Sequence, residues 1–490
     1  MCIGAGTHVF CVDSLFADNA LERRVTVQYT QSPVWTAIDV LRNISVPQHD
    51  DAISLHTALY AVTLTDYLCQ QHPGVAAFLQ HDADSARLAI ERLTERLAAL
   101  QHADGGYGWL PGCDWSSEWV TTEIATTMAR LKTMTGRKQP QLDNAVRYLR
   151  RCNAELLRKH NGYLGWQYMY VLALSGEKMS NTDRQALDSL MTEKYLAREQ
   201  MAVATVALRH LGRKVQAADM LARMQRYLVP TQQGGLAFSY LRGSFTSIDR
   251  KLLDHVFAME AVQDSSLVPM RRHLLQQKRV QAWDNKLVNA SAVYALLLGT
   301  QAQPETVPND RLHIDDITMD ITYGQHKQTM PLAKPVSRVT VDKHGEGESW
   351  GAVYVESKQR LSDIRQNNTG LTVRRYADNA VAVGEKAEVR LVITADRDYE
   401  CVHVTVARPA CLEPVGQLSR YQRQGGLGYY HEVHDDCDDI LIEHLPKGSY
   451  VLVLPAYVVR YGSYNTGITK IECMYAPEFC GHTANIQLTL

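Results

Sequence analysis

Near residue 302 the hydrophobic period of this chain changes. Before that point apolar residues recur at intervals of three and four, and after it they alternate in short β-rich runs. A three-four period buries one stripe of a helix, whereas alternation buries one face of a strand, so the two stretches need different architectures. Leu88, Ile90, Leu93, Leu97 and Leu100 mark one amphipathic helix, and Val120, Ile124, Met128 and Leu131 mark the next. A further helix starts near Asp51, and similar stretches cover 141–158, 164–175, 182–193, 195–211, 214–228, 247–262, 267–280 and 286–299. About eleven helices are therefore predicted.

Two sets of strand-like runs flank the helices: 24–29 upstream, and 314–323, 337–341 and 352–356 downstream. Neither set makes a stable sheet by itself, so the helices are predicted to be inserted between two parts of one β domain. From Leu371 onward the runs 371–376, 387–394, 402–407, 429–433, 440–444, 449–459 and 486–490, with turns between them, predict a β-sandwich. The chain then reads as multidomain α plus β. Its predicted parts are 1–46, the first part of the β domain; 47–301, the helices; 302–368, the second part; and 369–490, the sandwich. A length of 490 residues accommodates about three cores of this kind.

The helix connections repeat a glycine-aromatic phrase. Gln101-His102-Ala103-Asp104-Gly105-Gly106-Tyr107-Gly108-Trp109 is the fullest copy; Asn161-Gly162-Tyr163-Leu164-Gly165-Trp166 and Gln233-Gly234-Gly235-Leu236-Ala237-Phe238 are looser ones. Glycine permits a tight turn at positive φ, and the aromatic then plugs the groove between adjoining helix pairs. A ring of helical hairpins fits this pattern. Tyr107, Trp109, Trp115, Trp119, Tyr163 and Trp166 are candidates either to line a ligand cavity at the mouth of that ring or to serve as packing.

Composition excludes several functions. Lys plus Arg number 51 and Asp plus Glu 53, with no long block of one sign, so nothing marks a nucleic-acid or anionic-membrane partner. The longest apolar runs, such as Ala292 to Leu298, fall far short of the roughly 20 residues that span a bilayer, and no transmembrane segment is predicted. Ten cysteines without a C-x-x-C pair read as small buried hydrophobes, although Cys401, Cys411, Cys437, Cys473 and Cys480 leave room for one or two bridges. The opening MCIGAGTHVFCVDSLF lacks the basic and apolar regions of a signal peptide, so either the protein stays inside or this is the tail of a longer chain.

Catalytic motifs are sparse. Asp436-Cys437-Asp438-Asp439 matches the D-x-D-D acid motif of toroid terpene cyclases but falls in the β region, where a solvated acidic turn is expected. His431-Glu432-Val433-His434 has a spacing of three on a strand-like run, not the four that puts both rings on one helix face. With Cys437 it could bind a metal, though surface strand and turn is the expected reading. No G-x-S-x-G, P-loop or dinucleotide-binding glycine pattern occurs. No catalytic residue, cofactor or metal is predicted.

The most specific phrases lie near the end: Arg374-Arg375-Tyr376, Ala395-Asp396-Arg397-Asp398-Tyr399-Glu400, Leu445-Pro446-Lys447-Gly448-Ser449-Tyr450, and Met474-Tyr475-Ala476-Pro477-Glu478-Phe479 with Gly481-His482. Together with Val27-Gln28-Tyr29-Thr30, Pro33-Val34-Trp35 and the turn Asp104 to Trp109, they resemble the C-terminal portion of bacterial alpha-2-macroglobulin-like proteins over nearly the whole chain. The resemblance implies an α/α toroid inserted in a CUB-like β domain, followed by a C-terminal macroglobulin-type β-sandwich. It also implies endopeptidase inhibition, with proteinases and upstream macroglobulin domains as partners and the bacterial envelope or periplasm as location. Many family members capture the proteinase through a thioester formed by C-x-E-Q. That tetrapeptide is missing here: 46–51, its expected place, has no thiol, and Cys69-Gln70-Gln71-His72 puts His72 where the glutamine is needed. Non-covalent sequestration by a C-terminal fragment, split-gene product or truncated relative is the resulting expectation. The alternatives are a toroid enzyme acting on an isoprenoid or polysaccharide, and a surface adhesion module.

Overall fold

The protein is described by a computed structural model covering residues 2–17, 19–159, 164–193, 195–231, 234–239, 248–280, 283, 285–300, 309–321, 325–345, 347–377 and 381–490. Its fold is α plus β. Thirteen α-helices lie among the described residues: α1 Pro33–Ile44, α2 Ala52–Gln71, α3 Pro73–Leu79, α4 Ala83–Ala98, α5 Glu118–Thr135, α6 Pro140–Arg158, α7 Trp166–Ser175, α8 Asn181–Met191, α9 Arg198–His210, α10 Lys214–Gln225, α11 Ile248–Ala261, α12 Leu267–Val280 and α13 Lys286–Leu297. Two of them, α1 and α3, exceed the periodic reading. Helix α1 follows a strand after two residues and begins on Pro33, whose fixed φ suits a first turn. Its Trp35, Ile38 and Leu41 join the helical core, which therefore begins upstream of the boundary expected at 46/47. The boundary expected at 301/302 lies outside the described residues.

Seven helices touch in succession: α1, α2, α5, α7, α9, α11 and α13, and α13 returns to α1. The remaining helices flank this closed ring, with α4 on α2, α6 on α5, α10 on α9 and α12 on α11. The burial pattern follows from that placement. Every residue of α7 except Gln167 is buried, as is every residue of α13 except Lys286, whereas α4 buries only Leu93 and Leu97. A helix enclosed on all sides has no polar stripe, while a flanking helix keeps one.

Strands from both sides of the helical stretch pair with one another. One four-stranded sheet has the order Cys2–Ile3, Ser349–Lys358, Glu22–Thr30, Gln325–Leu332; the other has Gly6–Cys11, Arg338–Lys343, Asp310–Ile314, Ile317–Ile321. Register places Val25 opposite Val355 and Val27 opposite Val353. The run 314–323, expected as one strand, is instead part of a hairpin. Asp315 adopts φ 46°, and the Asp315-Asp316 doublet reverses the chain between Ile314 and Ile317. Residues 322–324 lie outside the described residues.

The C-terminal strands form one eleven-stranded sheet that closes over its own core, in the order Leu412–Pro414, Gly448–Val458, Lys386–Ala395, Leu371–Ala377, Asn367–Thr369, Cys480–His482, Thr469–Cys473, Tyr399–Ala407, Cys437–Leu445, Leu427–Val433, Arg420–Gln424. Alternation is strict in Lys386–Ala395, which buries Ala387, Val389, Leu391, Ile393 and Ala395. Strand Arg420–Gln424 pairs on one side only and is polar throughout, as an edge strand should be. That polarity kept it out of the hydrophobic reading. The expected run 486–490 contains Gln487–Thr489, which pairs with Ser463–Asn465.

Among the described residues, two ion pairs and one aromatic contact join the helices to the β regions. Arg272 of α12 pairs with Glu348, and Lys251 of α11 lies 3.4 Å from Asp398 of the sandwich. Trp350 packs against the helical core.

Candidate functional site

Residues 46–51, where the resemblance puts a thioester, form the loop between α1 and α2. Asp51 caps α2 by accepting from Ser54 N at 2.8 Å, and Asp50 pairs with Arg96 of α4. The Ala52 amide donates to the Trp109 carbonyl at 3.0 Å, tying this loop to the glycine-aromatic turn. In that turn Gly105 has φ 92°, and a Cβ there would overlap the Asn144 carbonyl of α6. Tyr107 is fully buried between α5 and α6: its amide donates to Thr121 Oγ1 at 2.9 Å, and its hydroxyl donates to Gln141 Oε1 at 3.1 Å.

The six candidate aromatics do not form one cluster. Tyr107 and Trp166, 0 % and 3 % exposed, belong to the core. Trp109 and Trp119 stack at 5.3 Å with ring planes 9° apart, and both remain 40 % or more exposed, as does Trp115. Tyr163 lies outside the described residues, as do Asn161, Gly162 and Gln233 of the looser copies. The surface next to the 46–51 loop thus presents the Trp109–Trp119 pair to solvent, which is unusual for such large apolar side chains.

In the same turn the Ser116 hydroxyl donates to Asp104 Oδ1 at 2.7 Å and lies 2.9 Å from His102 Nδ1. A hydroxyl has one proton and a carboxylate can only accept, so that proton faces Asp104 and the imidazole must donate to serine. A nucleophilic serine needs the opposite polarity, giving its proton to histidine.

Inside the helical ring Arg130 of α5 is held by three other helices, α7, α11 and α13. It donates to Tyr170 at 2.8 Å, Ser291 at 3.2 Å and Glu260 at 3.0 Å, while Glu260 also accepts from Tyr170 at 2.7 Å and Tyr294 at 2.9 Å. The guanidinium also lies 4.5 Å from the Phe257 ring centroid. Burial alone would lower the Arg130 pKa, but Tyr170 and Glu260 hold it above the ordinary range. Burial pushes Tyr170 and Tyr294 upward. Their acid, Glu260, thus accepts from three donors, Arg130, Tyr170 and Tyr294. Neither member was singled out in the sequence, although each is a lone charge in an apolar stretch, Met128 to Leu131 and Phe257 to Val262. Two imidazoles, His56 and His255, are buried in the helical region, and the half-buried His273 packs on His255; desolvation lowers His56 and His273 to about 3 and His255 to about 4.

The acidic phrase in the β region is a solvated bend only at Asp436. Cys437, Asp438 and Asp439 begin a strand, and alternation sends Asp438 inward to Arg408 at 2.7 Å and His431 at 2.9 Å. Burial pushes the Asp438 carboxyl up, but the hydrogen bonds from His431 and Arg408 and the guanidinium charge hold it below its usual range. His431, Asp438, Arg375 and Arg408 line a cavity of about 290 Å³ in the sandwich. His434 faces the other side of the sheet, so the two histidines do not meet. Cys411, Cys437 and Cys480 carry free thiols.

Residues 356–478 match the sequence model of a family described as the bacterial alpha-2-macroglobulin MG10 domain. The C-terminal portion of the chain is therefore alpha-2-macroglobulin-like. Among solved structures, Salmonella alpha-2-macroglobulin reacted with methylamine is similar at 15 % identity and TM-score 0.47, over 100 % of this chain and 33 % of that one. Native Escherichia coli alpha-2-macroglobulin from domain MG7 to the C-terminus gives 14 % identity and TM-score 0.46, over 100 % of this chain and 81 % of that one. The chain spans about a third of the length of the Salmonella structure. No curated protein matches it in sequence. Among the described residues no helix is long and apolar enough to cross a membrane.

Proposed function

We propose that this chain is a non-catalytic C-terminal segment of a bacterial alpha-2-macroglobulin-like endopeptidase inhibitor, acting by non-covalent sequestration. The observation that carries this reading is the MG10 match over 356–478. On it, the helical ring is the α/α toroid of a thioester-type domain, residues 1–46 and 302–368 are halves of a CUB-like domain, and residues 369–490 are the terminal macroglobulin-type sandwich. Proteinases and upstream macroglobulin domains are its partners, in the cell envelope or periplasm.

An acylating thioester needs a thiol three residues before a glutamine, and no C-x-E-Q exists anywhere in the sequence. What the site does offer is apolar surface: Trp109 and Trp119, next to the 46–51 loop, and the exposed Trp115 suit contact with a captured protein. The filled hub around Arg130 argues against the toroid-enzyme alternative, because a cyclase or glycosidase needs free acids converging on an open cavity.

The test is proteinase activity measured on a large protein substrate and a small peptide substrate in parallel. Slower cleavage of the large substrate alone, by a complex that dissociates in denaturant, is expected. Equal turnover of both substrates with and without the chain, or an adduct that survives denaturation, contradicts the reading.

A further inference from the structure

The outer face of the sandwich brings together three metal-ligand groups that the sequence spacing did not pair. Strands Leu427–Val433 and Cys437–Leu445 place Glu432 directly opposite Asp439, and Asp439 stands opposite Thr405 on Tyr399–Ala407. His434 follows the first of these strands and turns its ring back onto the same face. One donor atom each from Glu432, His434 and Asp439 lies within 4.8 Å of the others. We propose that these three side chains bind one divalent transition ion of the zinc class.

The separations from His434 are longer than those of hydrogen-bonded partners. His434 Nε2 lies 3.4 Å from Asp439 Oδ2 and 3.7 Å from Glu432 Oε2. A charge-assisted hydrogen bond closes to about 2.7–2.9 Å. Two ligands on a tetrahedral ion with bonds of about 2.0–2.1 Å stand about 3.4 Å apart.

The ligands are also oriented from behind. Asp439 uses its other oxygen, Oδ1, to accept from His403 Nε2 at 2.8 Å and from the Thr405 hydroxyl at 2.7 Å, leaving Oδ2 turned toward His434. Such outer partners fix the orientation of a ligating carboxylate. The turn bearing His434 is closed by its amide, which donates to the Cys437 carbonyl at 3.0 Å. Beneath it Arg408 donates to the Asp435 carbonyl at 3.3 Å and the Cys437 carbonyl at 3.1 Å. The turn is therefore held in place before any ion arrives.

One imidazole and two carboxylates suit a borderline ion such as Zn²⁺, whereas Mg²⁺ and Ca²⁺ prefer an all-oxygen shell. Three protein ligands on an exposed face leave at least one position for water or for a side chain of a bound partner. This inference is independent of the inhibitor reading.

The test is titration of the purified full chain with Zn²⁺ in competition with a chromogenic chelator, with Co²⁺ absorption as a second readout. One equivalent should bind, and Mg²⁺ in excess should not displace it. His434→Ala and Asp439→Asn should each weaken binding at least tenfold and abolish the Co²⁺ bands, while His403→Ala, one shell out, should weaken it about tenfold. His313→Ala serves as a control, because that ring pairs with Asp342 and Thr318 on the other β body. Glu432→Gln provides a milder variant should the others disturb folding. Unchanged stoichiometry and affinity in the His434, Asp439 and Glu432 variants, or no zinc bound by the parent chain, overturns the proposal.

Discussion

The helical ring and the C-terminal sandwich each bury an arginine–carboxylate pair, yet the two pairs do different work. Arg130–Glu260 joins helices far apart in sequence, with α5, α7, α11 and α13 all contributing. Arg408–Asp438 joins strands Tyr399–Ala407 and Cys437–Leu445, which already share a backbone ladder. Helices satisfy their backbone groups internally, so only side chains can specify which helix meets which; strands specify their neighbours through the ladder itself. Ring closure thus depends on a polar hub in a way that sheet order does not.

Tryptophan separates the two regions experimentally. All seven lie between Trp35 and Trp350, and none follows, so their fluorescence reports the helical and first β bodies while far-ultraviolet dichroism also reports the sandwich. The largest expected effect is acid. His56, His255 and His273 are held neutral in the native state, with pKa values of about 3, 4 and 3, and regain the ordinary value of 6.5 on unfolding. Their contribution is complete above pH 6.5 and lost as pH falls below it, because protons bind the unfolded chain first. Each removes about 1.4 kcal/mol per pH unit. Fluorescence melts should therefore drop steeply between pH 6.5 and 5. In the sandwich Asp396 and Asp438 are depressed, which preserves stability until pH falls below their ordinary range near 4. His444, lowered by burial, adds a loss of the same sign that sets in below pH 6.5, on a smaller scale.

Next in size, Arg130→Ala leaves Glu260 charged and unpaired and should cost about 3–5 kcal/mol, read in the fluorescence transition. Replacing both partners, Arg130→Met with Glu260→Met, should recover most of that loss if pairing and not mere volume matters. A matched pair of glycine variants then tests independence of the cores. Gly105→Ala (φ 92°) would overlap the Asn144 carbonyl, and Gly370→Ala (φ 76°) would overlap the Tyr399 hydroxyl. Each should cost at least roughly 1–3 kcal/mol, the first in the fluorescence transition and the second in the dichroism of the sandwich. Smallest of all, Lys251→Ala removes a partly exposed link between the bodies and should shift either transition by under about 1 kcal/mol.

What the sequence could and could not convey follows the same division. Alternation marked Lys386–Ala395 and Gly448–Val458 plainly, because each buries one face. The edge strand Arg420–Gln424 and the short Cys480–His482 carried no such alternation and escaped. Among helices, α1 was hidden by the strand ahead of it, and α3 by its length of seven residues. Of the candidate site, Tyr107 and the turn were legible, since glycine at positive φ and a buried aromatic leave a local signature. The stacking of Trp109 on Trp119 was not, because it depends on where α5 begins relative to the turn. Likewise His431 and His434 looked like a pair until strand alternation and the turn separated them, and His434 met Glu432 and Asp439 instead.

The functional account turns on whether this chain can form a covalent bond to what it holds. Intact mass and free-thiol count after incubation with methylamine decide that directly. An unchanged mass and unchanged thiol count are expected from a sequence without C-x-E-Q. Gain of one methylamine with release of one thiol would contradict the account, since only an internal thioester gives both together.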